Sequence, residues 1–261
     1  MEIGYASFAK WATGFSGCDG GDIGSAQNRS IWYCGIEWGG GHPADEQTLI
    51  NTVFSRNVDS PILGYTSEDT PPGWLHNLAY MFNRQAMKLL AAVYGDSVAS
   101  YELFAETVKP FTEGEKGYFK MNLYPLAFKD TSHDLWKDEF AKTTGFRTKQ
   151  DYQEWIKANR FPVMKAWMQM YSPKLIVCVG KSYLQEFSLA FSDDESTFKS
   201  EIIDDRELNW AINKNGTLVV VLPFLGNPNG LNKNVSIQKF GDRIRELLQN
   251  SMKYKTDIEL A

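Results

Sequence analysis

The sequence predicts an α/β protein, a three-layer sandwich in which helices flank a central and mostly parallel sheet of four to five strands. Short apolar runs typical of buried strands alternate with longer segments in which apolar residues recur at the period of a helix. With 261 residues, 43% of them hydrophobic, the chain can bury a large core. No linker-like tract or repeat divides it, so we predict a single domain over residues 1–261, with insertions near 42–73 and 127–160.

Four apolar runs predict the strands of the sheet. They lie near residues 31–35, 118–123, 175–179 and 217–222. Between the segments ELNWAI and TLVVVLPF, the dipeptide Asn215-Gly216 is a strong signal for a hairpin turn. We therefore expect an antiparallel strand to precede the last run and to join the sheet.

Three helices are predicted from apolar stripes with a period of 3.6 residues. The first covers residues 74–94 and ends at Gly95, and the second runs from Phe161 to Tyr171, before Pro173. The stripe of the third consists of Ile237, Phe240, Ile244, Leu247 and Leu248. The second insertion contains two further helical stretches, DLWKDEFAKTT and TKQDYQEWIKANR.

Composition limits the class of protein. A net charge of −5 argues against a general positive field for nucleic acid but is compatible with a local basic groove. The basic residues at 233–245 are interspersed with acidic ones and are typical of a solvated helix face. The three cysteines form no C-x-x-C pair, which predicts neither disulfides nor a metal site. Without a membrane-span-length apolar run or a signal peptide, we expect a cytoplasmic protein with no membrane contact.

The sequence VGKSY at 179–183 resembles a phosphate-binding loop but does not satisfy the motif. The motif needs a glycine five residues before its Gly-Lys pair, and position 175 is leucine. The segment is better interpreted as a helix start near Lys181, whose free amides contact a phosphate.

The stretch GIEWGGG at 35–41 follows a predicted strand and carries Glu37. Ligands bind at the carboxyl ends of strands in open α/β sheets, so the position of this carboxylate indicates chemistry. A solvent-exposed loop carboxylate is the alternative.

Two motifs together indicate a family. GIEWG at 35–39 resembles the Gly-Ile-Asn-Pro-Gly signature of the mismatch-specific uracil/thymine branch of the uracil-DNA glycosylase superfamily. NPNGLN at 227–232 resembles that branch's Asn-Pro-Ser-Gly-Leu-Ser loop. FKMNLYPL at 119–126 is similar to the superfamily's middle strand, and YSPKLIVCVGKSY at 171–183 is similar to its helix, strand and glycine.

The resemblance implies a monofunctional DNA glycosylase of the uracil-DNA glycosylase-like fold, a monomer without metal or organic cofactor. Such an enzyme flips a base out of the DNA duplex and hydrolyses its N-glycosidic bond, which leaves an abasic site. The target would be uracil, a mismatched pyrimidine or a bulky modified cytosine. The biological role would then be base excision in DNA repair, or defence against phage DNA that carries hypermodified cytosines.

In the first motif, the resemblance gives Glu37 the position of the water-positioning residue. The mismatch branch has asparagine there, and the uracil-specific enzymes have aspartate. Glutamate keeps the capacity of a general base but places its oxygens about 1.5 Å farther out than aspartate does. Gly35, Ile36 and Trp38 are expected to line the base pocket, and Trp38 replaces the motif's proline. The glycines at 39–41 predict a wider pocket.

In the second motif, Asn227 matches the branch's own asparagine and would hydrogen-bond the departing base or a phosphate. Leu231 matches the residue that wedges into the hole left by the flipped base. Ordinary packing at a helix start is the alternative for Leu231. Gly230 and Asn232 are expected to contact DNA phosphates beside it.

Asn122, at the end of FKMN, would read the base edge, or else would simply cap the strand end. Phe54, Tyr65 and Trp74 are candidates for an aromatic side chain that stacks on the base, and Trp74 is favoured. The helix starts at Lys181 and Ser236 are expected to hold phosphates.

Two other functions remain open. A catalytically inactive protein that binds nucleic acid or a nucleotide would explain the negative net charge. Hydrolysis of free nucleosides would need neither a wedge nor a basic groove.

Overall fold

The computed structural model describes residues 5–39, 58–59, 74–112, 114, 116–193, 196–226 and 229–259. Within these residues the protein is α/β, with a seven-stranded mixed sheet flanked by helices. The strands are β1 (Cys18–Gly21), β2 (Ile31–Gly35), β3 (Tyr118–Asn122), β4 (Leu175–Val179), β5 (Lys199–Ile203), β6 (Arg206–Ile212) and β7 (Leu218–Leu222).

The strand order across the sheet is β1-β3-β2-β4-β7-β6-β5. The four strands predicted from apolar runs are β2, β3, β4 and β7, and they are adjacent and parallel. The hairpin prediction is also confirmed, because β6 pairs with β7 in antiparallel orientation. β1 and β5 also pair antiparallel with their neighbours, β3 and β6.

The prediction of a mostly parallel sheet of four to five strands was wrong, because the sheet is larger and mixed. β1 has the sequence CDGG, in which Gly20 and Gly21 have φ angles of 103° and 102°. β5 has the mostly exposed sequence KSEII. Neither segment is the apolar run that predicts a buried strand.

The described residues form eight α-helices. They are α1 (Tyr5–Thr13), α2 (Met81–Tyr94), α3 (Tyr101–Val108), α4 (Asp138–Thr144), α5 (Lys149–Asn159), α6 (Phe161–Tyr171), α7 (Leu184–Phe191) and α8 (Asn234–Glu259). All three predicted long helices are present, although a short 3-10 helix (Trp74–Ala79) replaces the first turns of the first one. Gly95 ends α2 in the left-handed conformation with φ 118°. The two helical stretches of the second insertion are α4 and α5.

Side chains of the sheet alternate between two cores. Trp32 and Cys34 of β2 face the core that includes residues of α1 and α4 to α7. Ile31 and Tyr33 face the core that includes residues of α2, α3 and α8. Helices therefore pack against both faces of the sheet. Among the described residues, no helix is both long and apolar enough to span a bilayer.

The four parallel strands end at the same edge of the sheet, which we call the carboxyl edge. The chain beyond β2 continues beside the chain beyond β3. Leu123 and Tyr124 donate backbone hydrogen bonds to the carbonyls of Gly35 and Ile36, at 3.0 and 2.9 Å, and Phe128 donates to that of Trp38 at 3.1 Å. The backbone of the first motif is thus fixed by the segment that follows β3.

Candidate active site

Glu37 lies at the carboxyl edge and forms a buried ion pair. Its Oε1 is 3.1 Å from Nζ of Lys149, and the two side chains are 5% and 0% exposed. Its other oxygen, Oε2, is buried and makes no hydrogen bond within the part of the chain that the structure describes. The alternative of a solvent-exposed loop carboxylate is therefore wrong, and one oxygen of Glu37 is buried without a hydrogen-bond partner among the described residues.

Lys149 is held rigidly at the first residue of α5. Thr148 and Asp151 form a capping box, in which the Thr148 side chain accepts from the Asp151 amide at 3.0 Å and the Asp151 side chain accepts from the Thr148 amide at 3.2 Å. Nζ of Lys149 also donates to the Asp130 carbonyl at 3.4 Å. It lies 3.8 Å from the centroid of the Phe128 ring, which is within cation–π range.

Burial dominates the electrostatics of this pair. It raises the pKa of Glu37 to about 7, although the positive charge and hydrogen bond of Lys149 act in the opposite direction. Burial likewise lowers the pKa of Lys149, against the attraction of Glu37. A carboxyl group with a pKa near neutrality can accept and release protons at the pH of the cell.

Tyrosines surround the pair on the side of the first core. Tyr152, one turn after Lys149, accepts a hydrogen bond from the Leu126 amide at 3.3 Å. Tyr124 packs against Tyr152 with ring centroids 6.2 Å apart. Both side chains are fully buried, and burial raises the pKa of each hydroxyl. Tyr152 lies close enough to Glu37 for the charge of the carboxylate to contribute to the raised pKa of its hydroxyl.

Sequence reasoning missed Lys149 because it lies in the second insertion, 112 residues from Glu37. One signal was available. Lys149 shares the buried face of α5 with Tyr152, Gln153 and Ile156. A lysine on the apolar stripe of a helix is almost never buried without a partner, so its position predicted a carboxylate nearby.

Gly35, Ile36 and Asn122 are packed closely together below Glu37. A Cβ on Gly35 would lie 2.5 Å from Oδ1 of Asn122, so any larger residue would displace the Asn122 side chain. A Cβ on Gly180 would lie 2.6 Å from Cδ1 of Ile36. Asn122 donates from both its backbone and its side-chain nitrogen to the carbonyl of Gly17, at 2.9 and 3.2 Å. Only 5% of the surface of Asn122 is exposed. The structure therefore favours the alternative, in which Asn122 caps the strand end, over the reading of a base edge.

For Leu231, the structure favours the packing alternative over the predicted DNA wedge. Leu231 is fully buried in the core that includes residues of α2 and α8, so it has the ordinary packing role. Its neighbours are also engaged within the protein. The carbonyl of Gly230 accepts from Arg206 at 3.3 Å, and that of Asn232 accepts from Gln85 at 3.2 Å.

Ser236, at whose helix start free amides were predicted to hold a phosphate, has an acidic neighbour. Its hydroxyl donates to the carboxylate of Asp204, which also pairs with Lys239 at 2.8 Å. A carboxylate at this place repels a phosphate. Lys181 is exposed at the carboxyl edge, within the 3-10 helix Lys181–Tyr183, and pairs with Glu207 at 3.4 Å.

The basic residues near the C-terminus form the expected solvated helix face. Besides Lys239, Arg243 pairs with Glu201 at 2.7 Å and with Glu246 at 3.0 Å. Arg245 pairs with Asp242 at 3.3 Å. Carboxylates therefore neutralise most of this cluster.

Several predicted residues lie outside the described part of the chain, namely Asn227, Phe54, Tyr65 and the glycines 40 and 41. The side chain of Trp74 also lies outside it, although the backbone of this residue begins the 3-10 helix noted above. Trp38 is partly buried within the first motif. The described residues contain no group of three or more His, Cys, Asp or Glu side chains placed to hold a metal ion.

Comparison with known proteins adds no relative, because neither a family model nor a curated protein matches the sequence.

Proposed function

We propose that the protein is a monofunctional DNA glycosylase that flips a modified or mismatched pyrimidine and hydrolyses its N-glycosidic bond. The observation that carries this proposal is the buried Glu37 at the carboxyl edge, with one oxygen paired to Lys149 and the other without a hydrogen-bond partner among the described residues. The motif resemblance of residues 35–39 and 227–232 supplies the substrate class. The target is uracil, a mismatched pyrimidine or a bulky modified cytosine, in repair or in defence against phage DNA.

In the proposed reaction, Oε2 of Glu37 accepts a proton from a water molecule, and the water oxygen bonds to C1′ of the deoxyribose. The bond between C1′ and the base nitrogen breaks, and its electron pair leaves with the base, which takes a proton from solvent. The products are a free base and an abasic site. The negative charge of Glu37 also stabilises the positive charge that develops on the sugar, as carboxylates do in glycoside hydrolysis.

Lys149 has a positioning role in this scheme. It lies on the side of Glu37 that is away from Oε2, fully buried against Phe128 and the Asp130 carbonyl. It fixes Oε1 and holds the pKa of Glu37 down to about 7, so that part of the carboxyl group is ionised at neutral pH, and it leaves Oε2 without a partner for the proposed water. Because its amine has no exposed surface, a Schiff base with the sugar and the strand cleavage that follows are not expected.

Because Leu231 is buried, another side chain must fill the space left by the flipped base, and Phe224 is suited to that role. Phe224 lies at the carboxyl edge just after β7, is 41% exposed, and packs near Phe82 with ring centroids 6.0 Å apart. Its carbonyl accepts from the Leu231 amide at 2.8 Å, so the two residues close the ends of one loop. An exposed aromatic ring in this place can fill the space left by a flipped base.

Hydrolysis of free nucleosides is the second candidate, and the burial of Leu231 favours it because no wedge is then required. A binding protein without catalysis is the third, and the net charge of −5 together with the near-complete burial of Glu37 favours it.

The test is to incubate the protein with duplexes carrying uracil, mismatched thymine or modified cytosines, and with the free deoxynucleosides. Abasic sites and released base are measured for the native protein and for Glu37→Gln. We expect abasic sites on at least one duplex and a loss of at least about a hundredfold in Glu37→Gln. Lys157→Met, on the same helix as Lys149, is the matched control. Full activity of Glu37→Gln, or reaction with free nucleosides alone, would overturn the proposal.

A further inference from the structure

A second buried ion pair lies below the carboxyl edge, on the face of the sheet covered by α2. Asp19 of β1 and Lys120 of β3 are 3.1 Å apart, and their side chains are 11% and 10% exposed. Lys120 is the register partner of Tyr33, two residues before the parallel pair of Gly35 and Asn122 at the strand ends. That separation places Lys120 about 7 Å below the edge where Glu37 lies.

The first turn of α2 encloses this ion pair. Asn83 accepts a hydrogen bond from Nζ of Lys120 at 3.3 Å, and the Phe82 ring centroid lies 5.8 Å from the same nitrogen. Tyr33 meets that ring edge-on, with centroids 5.9 Å apart. One aromatic ring is thus bordered by a cation, an amide and a phenol.

Two polar groups beside this ring have no hydrogen-bond partner among the described residues. They are the hydroxyl of Tyr33, which is fully buried, and Nδ2 of Asn77, a residue that is 4% exposed. The Asn77 carbonyl accepts from Asn83 at 3.4 Å, which places Asn77 in the same cluster. An unpaired buried polar group costs about 1–3 kcal/mol, so two in one cluster indicate a place where a ligand or an ordered water completes the hydrogen bonds. The proposed hydrolysis uses none of these groups.

We propose that Tyr33, Asn83, Asp19 and Lys120 form the subsite that reads the edge of the flipped base. This inference rests on the proposed glycosylase function and names the residues that set its specificity. The ligand presents a hydrogen-bond donor next to an acceptor, as cytosine does with its amino group and N3, and as uracil does with N3–H and O4. Asp19 accepts from the donor, Lys120 donates to the acceptor, and the Phe82 ring packs against the base.

The subsite also explains why Asn122 is not needed as the base reader. The amide of Asn122 is engaged with Gly17, so it holds β1 and the Asp19 that follows Cys18 against β3. In the proposed subsite, Asp19 and Lys120 recognise the base edge instead, and hydrogen bonds to charged groups are stronger than those to an amide.

The experiment measures binding of 1-methylcytosine and 1-methyluracil by calorimetry, with 1,3-dimethyluracil as the probe that lacks the N3 donor. Glu37→Gln is used beside the native protein, so binding is scored without catalysis. We expect at least one 1-methyl base to bind both proteins alike, and 1,3-dimethyluracil to bind at least tenfold more weakly than 1-methyluracil wherever the latter binds. Lys120→Met and Asp19→Asn should weaken binding at least tenfold, while Lys88→Met, on the exposed side of α2, should not.

The variant Tyr33→Phe distinguishes a loss of base binding from a loss of folding. It removes a buried hydroxyl that has no partner in the described residues, so the melting temperature should stay the same or rise while base affinity falls about threefold to tenfold. Unchanged affinity in Tyr33→Phe and Lys120→Met, or no binding of either 1-methyl base at millimolar concentration, would overturn the subsite. If bases bind through Lys120 but no duplex is hydrolysed, the subsite stands and the proposed hydrolysis fails.

Discussion

Replacing Lys149 by methionine should move the acidic limb of the activity profile to higher pH. Methionine keeps most of the volume of the lysine side chain but removes the positive charge 3.1 Å from Oε1 of Glu37. That charge and its hydrogen bond hold the pKa of Glu37 down, to about 7, against a burial effect that raises it. Without Lys149, only the burial effect remains strong, and the carboxyl group keeps its proton to higher pH.

The size of the change follows from the distance. An opposite charge this close lowers a carboxyl pKa by roughly 1–3 pH units. In Lys149→Met, the pH at which activity is half-maximal on the acidic side should therefore rise by at least about one pH unit. With a starting pKa of about 7, the ionised fraction of Glu37 at pH 7 falls about fivefold for a rise of one pH unit and about fiftyfold for two. Activity should recover as the pH rises further, because a general base works once it is ionised.

Two measurements test this prediction. The first is the pH profile of kcat/KM on the duplex found active in the substrate panel. The second is the carboxyl carbon signal of Glu37, followed by NMR through a pH titration, which needs no substrate. Lys149→Arg, which keeps the charge, and Lys157→Met, on the surface of the same helix, should both retain the native profile.

A lysine that merely supports the fold would give a different outcome. Lys149→Met would then lower activity by the same factor at every pH, and the NMR titration of Glu37 would superimpose on the native curve. Either result would refute the positioning role of Lys149.

Four further predictions concern stability and the wedge. The pKa of Glu37 is about 7 in the folded protein and 4.5 in the unfolded chain. Between these two pH values the folded protein therefore binds a proton that the unfolded chain has released. The contribution of Glu37 to the free energy of unfolding should fall by about 3 kcal/mol as the pH rises from 4.5 through 7. Urea unfolding of the native protein and of Glu37→Gln across this range measures the difference, and parallel curves would contradict it. The double variant Glu37→Gln/Lys149→Met should be more stable at pH 8 than Lys149→Met alone by about 1–4 kcal/mol, since a buried glutamine neither carries an unpaired charge nor has to take up a proton on folding; equal melting temperatures would count against the buried pair. Leu231→Ala should lower the free energy of unfolding by about 2–5 kcal/mol because it leaves a cavity in the core, whereas a wedge residue would show normal stability and impaired base flipping. Phe224→Ala should leave stability within about 0.5 kcal/mol of native and lower activity on duplex DNA, with little effect on a single-stranded substrate, where no stacked partner must be replaced; equal losses on both substrates would exclude the wedge role.

The sequence predicted the part of the fold that buries apolar residues on both faces. β2, β3, β4 and β7 are fully buried strands. Short apolar runs are typical of the strands of a parallel sheet that is covered by helices on both faces. β1 escaped prediction because its glycines adopt φ angles that few other residues tolerate, and β5 because it is a polar edge strand. Local pattern carries no signal for a strand that exists only because a neighbour offers it hydrogen bonds.

The candidate site shows the same limit. Glu37 was predictable, because its place after a buried strand is a local property of the chain. The burial of Leu231 and Ser236 was not, because a motif states which residues are present and not which way their side chains point. The Asp19 and Lys120 pair was hidden for another reason, since β1 itself was not recognised.

Glu37, which stands where the resembled motif has asparagine, and the second insertion depend on each other physically. Burial that raises the pKa of Glu37 would keep an isolated glutamate protonated at neutral pH and useless as a base. The insertion brings Lys149 and the Asp130 carbonyl to the inner side of that glutamate, and a capping box fixes the lysine at the first residue of its helix. A motif with asparagine at this position needs no such cation, because an amide carries no charge to stabilise. In the proposed reaction the glutamate and the insertion act together, so shortening the insertion should abolish activity even where the sheet and its carboxyl edge remain folded.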